Sequence, residues 1–286
     1  MQSDLKTHLS ELLNEDIKHV SAIHGGDISA AYKLKTARET YFLKANKAPN
    51  ALKMFKTEAK GLQKINQSNC IKTPEVLGCN LFKNTAFLLL EFIDTKQPSA
   101  KDFENLGFQL AKLHLYSAEL FGLDSNNFIG SLPQSNKQHS TWTDFYIKER
   151  LLPQLKLAQR KNLLLPNEIP SEDCLFTNLS AWFKNIKPAL LHGDLWGGNY
   201  IISSTGTPYL IDPAIFFGHN EVDLAMTKLF GGFAPVFYKA YAEIIPFKND
   251  ASARMDIYQL YYLLVHLNIF GTSYHNSVIS IIKKYF

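Results

Sequence analysis

Three oxygen-bearing side chains that could serve phosphoryl transfer, Asp194, Asn199 and Asp212, lie close together in the second half of this sequence. Asp194 and Asn199 belong to the run His-Gly-Asp-Leu-Trp-Gly-Gly-Asn at residues 192–199, and Asp212 stands in Ile-Asp-Pro, thirteen residues after Asn199. Phosphoryl transfer requires a carboxylate that deprotonates the attacking hydroxyl, and oxygen ligands that hold Mg²⁺ against the nucleotide phosphates. We interpret Asp194 as the base and Asn199 and Asp212 as Mg²⁺ ligands. Ordinary turns also use Gly, Asn and Asp, but this order and spacing disfavour that alternative.

Short apolar segments flank these side chains. Residues 189–191 form a predicted strand that leads into the motif, and residues 200–202 and 209–211 form predicted strands that follow it. A carboxylate on a loop between short strands is held rigidly, which positioning catalysis requires. The pattern therefore predicts an ordered site at the strand ends.

Nucleotide binding is predicted on the N-terminal side of the chain. Gly25 and Gly26 lie between two predicted strands, where glycines allow a loop to bring its N–H groups close to phosphates. Such a pair more often makes a simple tight turn. Lys44 closes the next predicted hairpin, and Glu58 follows fourteen residues later on a predicted helix. A lysine that reaches phosphates needs a carboxylate that holds its flexible stem, so we predict a Lys44–Glu58 pair, with nearby lysines as alternatives.

The hydrophobic pattern predicts an α+β, bilobal fold with a small β-rich N-terminal lobe and a larger, mainly helical C-terminal lobe. Residues 1–93 are expected to bind nucleotide, and residues 94–286 to carry the catalytic and substrate-binding groups. Glu91, Phe92 and Ile93 would connect the lobes, and their backbone could bond an adenine edge. Predicted helices cover residues 5–17, 52–65, 103–113, 145–157, 175–186, 221–230, 235–244 and 251–269, and predicted strands cover 21–26, 32–35, 40–44 and the apolar hairpin 82–92.

Composition narrows the class of protein further. The 286 residues include 46% hydrophobic residues, enough for two cores, and only three cysteines without metal-ligand spacing, which favours a reducing, cytoplasmic location. The chain begins without an apolar signal-like stretch, and no run is long enough to span a membrane. A net charge of +4 from scattered lysines gives no indication of nucleic-acid binding. Without heptads or a long apolar surface stretch, we expect a monomer.

Together these residues resemble the kinase-like phosphotransferase superfamily and, within it, the fructosamine or ketosamine kinase family. The distinguishing segments are residues 192–199 and 218–233, the latter containing Asp-Leu-Ala-Met and Phe-Gly-Gly-Phe. Aminoglycoside and choline kinases resemble the chain at His-Gly-Asp and Asn but typically lack Trp-Gly-Gly. Further matches extend over nearly the full length, including Leu110 to His114 and Arg150 with Leu151.

The resemblance implies that Asp194 is the catalytic base, that Asn199 and Asp212 bind Mg²⁺, and that Lys44, paired with Glu58, positions ATP. This sequence departs from some members of the family at Asp27, where those members carry a redox-sensitive cysteine. Thiol-switched dimerisation is therefore not expected.

Three further side chains are candidates for the substrate pocket. Trp196 and His219 could equally be pocket wall or core filling. Asp223 is the third candidate, and it is also expected to order the backbone of the catalytic loop. We expect the same structural role for His192. An aromatic stripe over residues 258–270 is predicted to be helix packing rather than a cofactor site.

The implied activity is ATP-dependent phosphorylation of the sugar part of a ketosamine, on the hydroxyl at carbon three, leading to deglycation of amines or proteins. Two alternatives stay open. One is a kinase for another small hydroxyl substrate, of the aminoglycoside or choline kinase type. The other is a nucleotide-binding pseudokinase, which the presence of Lys44, Asp194, Asn199 and Asp212 disfavours.

Overall fold

Residues 1–23 and 29–286 are described in the computed structural model of the chain. The predicted phosphate-covering glycines, Gly25 and Gly26, and the neighbouring Asp27 lie outside the described residues. The predicted strand over residues 21–26 is described as far as Ile23.

The N-terminal part is built on an antiparallel sheet of five strands in the order β1-β2-β3-β5-β4. Its strands are β1 His19–Ile23, β2 Ala30–Lys35, β3 Thr40–Asn46, β4 Val76–Phe82 and β5 Thr85–Glu91. Lys44 on β3 pairs in register with Ala31 on β2 and Leu88 on β5. The predicted β2–β3 hairpin is confirmed. The apolar hairpin begins at Val76, six residues before the predicted start. The prediction began too late because Gly78 and Asn80 interrupt the apolar pattern of the first strand.

Two helices cover opposite faces of this sheet, α1 Ser3–Leu13 and α2 Ala51–Gln67. Phe87 and Leu89 of β5 pack with α1, whereas Leu88 and Leu90 pack with α2. Successive strand residues point to opposite faces, so β5 is apolar at nearly every position because both of its faces are covered. The helix predicted over residues 5–17 was too long, since Asn14 adopts a left-handed φ of 51° and ends α1.

The rest of the chain is mainly helical. Its α-helices are α3 Ala100–His114, α4 Trp142–Phe145, α5 Leu152–Arg160, α6 Glu172–Trp182, α7 Glu221–Leu229, α8 Pro235–Ile244, α9 Ala251–Phe270 and α10 His275–Tyr285. Helix α9 is buried along most of its length and forms the centre of this part. The helix predicted over residues 145–157 is instead interrupted by a π-helical segment, Tyr146–Leu151. Pro153, at the start of α5, lacks the N–H that a continuous α-helix would use there.

Three two-stranded sheets complete the C-terminal part, pairing β6 with β7, β8 with β11, and β9 with β10. Their bounds are β6 Asn127–Ile129, β7 Leu132–Gln134, β8 Ala189–Leu191, β9 Tyr200–Ile202, β10 Pro208–Leu210 and β11 Phe216–Gly218. Strands β8 and β9 match the predictions and β10 is shifted by one residue. Strands β6, β7 and β11 were not predicted, because three residues are too few to show a period. Within the described part of the chain no helix is long and apolar enough to cross a membrane.

Candidate active site

Two of the short sheets bring the candidate residues together. Strands β8 and β11 pair Leu191 with Phe216, and β9 and β10 pair Tyr200 with Leu210. Just beyond the β9–β10 pair, the N–H of Ile211 donates a 3.0 Å hydrogen bond to the carbonyl of Asn199. The loop of residues 192–199 and the loop of residues 212–215 therefore lie side by side, although twelve residues separate Asn199 from Asp212 along the chain.

Asn199 holds Asp194 with its amide group. Its Nδ2 donates to the main-chain oxygen of Asp194 at 2.8 Å and to the carboxylate Oδ2 at 3.2 Å. These bonds commit the amide nitrogen to Asp194 and leave the amide oxygen for another partner. An amide oxygen and a carboxylate are oxygen donors of the type that Mg²⁺ accepts, so the donor atoms of Asn199 and Asp212 fit such an ion.

Lys44 joins the N-terminal sheet to this pair of loops. Its ammonium lies 2.8 Å from Glu58 Oε1 on α2 and also hydrogen-bonds Asp212. Burial disfavours the charge on Lys44, but the Asp212 and Glu58 carboxylates outweigh it and raise the pKa of the ammonium. A cation held between two carboxylates is pre-positioned for phosphate, because little side-chain freedom remains to be lost on binding.

The carboxyl group of Asp194 has a strongly shifted pKa. Burial, with the nearby charges of Asp212 and Asp223, raises its pKa from 3.8 to about 7, while the hydrogen bond from Asn199 acts in the opposite direction. A base whose pKa lies near neutral pH combines sufficient ionisation with strength as a proton acceptor.

Asp223, at the start of α7, holds the backbone of the 192–199 loop. Its two carboxylate oxygens accept the N–H groups of His192 and Gly193, each at 2.8 Å. Its Oδ2 also contacts Nε2 of His114 at 3.1 Å, and Tyr262 on α9 donates to the carbonyl of Gly193 at 2.9 Å. The loop is thus tied to α3, α7 and α9.

His192 links the two loops. Its Nδ1 accepts from the N–H of Asp194 at 3.2 Å, so Nε2 carries the hydrogen and donates to the carbonyl of Ile211 at 2.8 Å. Burial lowers the pKa of His192, which favours this neutral tautomer. Its contacts on the backbone fit the structural role expected for it.

A glycine is required at position 193, where the 192–199 loop lies against Ala214 of the 212–215 loop. Its φ is +82°, and a Cβ there would lie 2.2 Å from the carbonyl oxygen of Ala214. Both the left-handed backbone and the close approach exclude a side chain. The glycine of His-Gly-Asp therefore allows the two loops to pack together.

Comparison with known proteins shows the family of this chain. The model of the fructosamine kinase family matches residues 1–286. The chain belongs to the fructosamine kinase family. A probable ketoamine kinase of Lactiplantibacillus plantarum is 39% identical over 282 residues, covering 98% of this chain and 99% of the relative. A chloroplastic protein-ribulosamine 3-kinase of Arabidopsis thaliana is 35% identical over 290 residues, covering 97% of this chain and 85% of the relative.

Solved structures give the same result for the fold. A Thermobifida fusca structure assigned as a fructosamine-3-kinase has a TM-score of 0.88 and 32% identity, covering 99% of this chain and 98% of that chain. The aminoglycoside phosphotransferase APH(4)-Ia shares the fold with a TM-score of 0.66, at 15% identity and 98% coverage of both chains. The predicted α+β, bilobal kinase-like fold and the predicted family are confirmed.

The two segments that the sequence analysis singled out for the fructosamine kinase family contact each other. A Cβ at Gly232 would lie 3.1 Å from Cα of Gly197, and Tyr200 donates a 3.0 Å hydrogen bond to the carbonyl of Gly232. Trp196 is 39% exposed, and its ring lies over Gly198, where a Cβ would be 2.3 Å from the indole. Glycines in both segments permit this close packing, and Trp196 stays partly exposed two residues after Asp194.

The remaining predicted residues of this fructosamine kinase family member lie elsewhere. His219 is buried in the helical core, where Nδ1 contacts the hydroxyl of Tyr258 at 2.7 Å, rather than at a pocket wall. Glu91 ends β5, and Phe92 and Ile93 follow it, all partly buried. Lys33 Nζ on β2 lies 4.0 Å from the centroid of the Phe92 ring.

Sequence reasoning missed two residues that hold the 192–199 loop. His114 was noted only as part of a family match, and Tyr262 was assigned to helix packing. Both lie far from Asp194 along the chain, and neither stands in a local motif that predicts its contact. Only the packing of α3 and α9 against the loop places them there.

Proposed function

We propose that this protein is an ATP-dependent ketosamine 3-kinase that phosphorylates the sugar part of glycated amines or proteins. Its assignment as a phosphotransferase acting on a sugar hydroxyl rests on the fructosamine kinase family and on relatives named ketoamine kinase and protein-ribulosamine 3-kinase. The observation that carries the proposal is the convergence of Lys44, Glu58 and Asp212 with the Asp194–Asn199 pair.

Asp194 is the proposed base. Its carboxylate accepts the proton of the attacking sugar hydroxyl, and Asn199 holds it in one orientation through two donated hydrogen bonds. A pKa of about 7 suits this proton transfer near neutral pH. Trp196, two residues after the base and partly exposed, is the proposed contact for the sugar or its amine substituent.

The proposed nucleotide site lies in residues 1–93, which we assign as the nucleotide-binding lobe, with residues 94–286 as the catalytic lobe. Lys44 contacts the α and β phosphates of ATP while Glu58 holds its stem. Gly25 and Gly26, which lie outside the described residues, are proposed to bind the phosphates, and the backbone of Glu91, Phe92 and Ile93 would bond the adenine edge.

Asn199 and Asp212 are the proposed ligands of Mg²⁺. The fit rests on their donor atoms: the amide oxygen of Asn199 remains after its nitrogen binds Asp194, and Asp212 supplies a carboxylate. When bound, the ion would offset the negative charge of the phosphates. Positioning and electrostatics are the main sources of rate acceleration in such transfers.

Phosphorylation of a ketosamine would lead to release of its amine. A phosphate on the hydroxyl at carbon three is a good leaving group, and the neighbouring aminoketone can enolise and expel it. Water then hydrolyses the carbon–nitrogen bond of the resulting imine, which frees the amine. We further propose a cytoplasmic monomer with a ketosamine as its partner and without a role in nucleic-acid or membrane binding. The cysteines Cys70, Cys79 and Cys174 are free, which fits a reducing compartment.

The direct test is ADP release from Mg·ATP with ribuloselysine, fructoselysine, choline and an aminoglycoside, using Asp194→Asn as the control. Turnover confined to ketosamines and lost in the variant supports the proposal. Turnover only on choline or the aminoglycoside refutes the ketosamine assignment. Nucleotide binding without any turnover would instead indicate a pseudokinase.

A further inference from the structure

The β6–β7 hairpin contacts the 212–215 loop through two buried amide side chains. Asn127 Nδ2 donates a 2.8 Å hydrogen bond to the carbonyl of Ile215, and Gln134 Nε2 donates a 3.3 Å bond to that of Ala214. Both side chains are almost fully buried. Since Ala214 and Ile215 directly follow Asp212 and Pro213, these bonds hold the backbone just beyond the candidate metal ligand.

The amides belong to a chain of hydrogen bonds whose direction is set at both ends. Arg150 Nη2 donates to Asn136 Oδ1 at 2.7 Å, and Asn136 Nδ2 donates to Asn127 Oδ1 at 3.0 Å. Asn127 Nδ2 in turn donates its hydrogen bond to the carbonyl of Ile215. A guanidinium only donates and a carbonyl only accepts, so each amide between them has a single orientation that satisfies its neighbours.

Arg150 is itself held in place from several sides. Its Nη1 donates to the carbonyls of Ser135 and, at 2.9 Å, Glu149. In a continuous α-helix the Glu149 carbonyl would accept a hydrogen bond from the N–H of residue 153. Pro153 has no N–H and cannot donate this bond. The guanidinium carbon also lies 4.0 Å from the centroid of the Phe216 ring. The π-helical segment thus places a buried cation against the strand that follows the loop.

Helix α2 contacts the same loop from the N-terminal part. A Cβ on Gly61 would lie 3.0 Å from Cγ of Pro213, so the helix that carries Glu58 touches the residue next to Asp212. Lys53 of α2 also lies 6.0 Å from the centroid of the Phe128 ring on β6. The hairpin therefore contacts both the helix with Glu58 and the loop with Asp212.

The loop needs support because Asp212 has a φ of +55°. The left-handed region is sterically unfavourable for a non-glycine residue, because Cβ approaches the following carbonyl oxygen. We propose that Asn127, Gln134 and Arg150 are positioning residues, which hold the 212–215 loop in the conformation that presents Asp212 to Mg·ATP. The role of Asp212 rests on the proposed function, whereas the ordering of the loop does not.

The test compares Asn127→Leu with Gln154→Leu. Gln154 is a buried amide in the same part of the chain, but it binds Asn268 at 2.9 Å and not the 212–215 loop. Two properties are measured on each full-length protein. Amide hydrogen exchange is followed by mass spectrometry over residues 211–217, and Mn²⁺ affinity is measured by electron paramagnetic resonance in the presence of AMP-PNP.

We expect Asn127→Leu to raise exchange in residues 211–217 and to weaken Mn²⁺ binding by roughly tenfold, since an acceptor is left unpaired. AMP-PNP binding without metal should change less than about twofold. Gln154→Leu should lower the urea midpoint without either effect. Gln134→Leu is the second variant, with the same expectation, in case Asn127→Leu does not fold.

Unchanged exchange over residues 211–217, or an equal increase in Gln154→Leu, would overturn the proposal. Increased exchange with unchanged Mn²⁺ affinity would overturn it too, since the loop would then not need this support to bind metal. If Asn127→Leu shows both effects relative to the wild type, but the wild-type protein does not phosphorylate ketosamines, the proposed function fails and the positioning role stands.

Discussion

Replacing Asp194 by Asn is expected to abolish turnover and also to stabilise the unliganded protein at alkaline pH. The carboxyl group has its pKa raised from 3.8 to about 7 by burial and by the charges of Asp212 and Asp223. Its ionisation in the folded state is therefore unfavourable. An amide at this position keeps an oxygen that can accept the 3.2 Å hydrogen bond from Asn199 and carries no charge.

The sign and size follow from proton linkage. Below about pH 3.8 the carboxyl group is protonated in both the folded and the unfolded chain. As the pH rises towards 7 the unfolded chain ionises and the folded one does not, so the free energy of unfolding falls. A difference of about three pKa units corresponds to about 4 kcal/mol by pH 8. We expect Asp194→Asn to regain about 2 to 4 kcal/mol at pH 8, and about half of that near pH 5.4.

Urea unfolding at pH 8 and pH 5.4 measures this effect through the midpoint and slope. The control is Asp124→Asn, because Asp124 is exposed and its carboxylate accepts a hydrogen bond from Ser125. A variant that is no more stable than the wild type at pH 8, or that gains equally at both pH values, would refute the reasoning. The same pKa predicts that kcat/KM for ATP falls about tenfold per pH unit below about pH 7, because the base must be ionised.

Three further substitutions test other contacts of the site. Lys44→Met removes the cation between Glu58 and Asp212 and should lower kcat/KM for ATP, measured by ADP release, by at least about 100-fold. Its control is Lys47→Met at an exposed position, which should change kcat/KM for ATP little. Gly193→Ala should lower the free energy of unfolding by more than about 2 kcal/mol in urea, because strain and a 2.2 Å contact combine. Its control, Gly231→Ala, adds only strain, since φ is +72° and the space is open, and should cost about 1 kcal/mol. Gly198→Ala forces Trp196 to move and should raise KM for the ketosamine about tenfold without changing that for ATP, whereas Gly197→Ala, at 3.5 Å from its nearest neighbour, should be tolerated.

Each of these has an outcome that contradicts it. Equal losses for Lys44→Met and Lys47→Met would show that Lys44 has no special contact with ATP. Equal unfolding midpoints for Gly193→Ala and Gly231→Ala would mean that the two loops can separate without cost. A ketosamine KM that is unchanged in Gly198→Ala would remove Trp196 from the substrate site.

The sequence alone determined the family, the fold class and the chemical types at the site. Asp194, Asn199 and Asp212 stand in short local motifs, and Lys44 and Glu58 lie on a strand and a helix with strong hydrophobic periods. Local order was therefore sufficient to propose them as site residues. Asn14 and Pro153 show where such reasoning was less accurate. One left-handed residue ended α1 early, and one proline changed the hydrogen bonding of a helix.

Only the tertiary structure decided which distant residues hold the site. His114, Tyr262 and the amides Asn127 and Gln134 act through contacts with residues that are 69 to 109 positions away. His219, in contrast, stands in a motif of the family but is buried in the core. A sequence motif records which side chains are present. Whether a side chain faces the cleft, the core or a loop backbone depends on the packing of helices and short strands, because no local period encodes contacts over such separations.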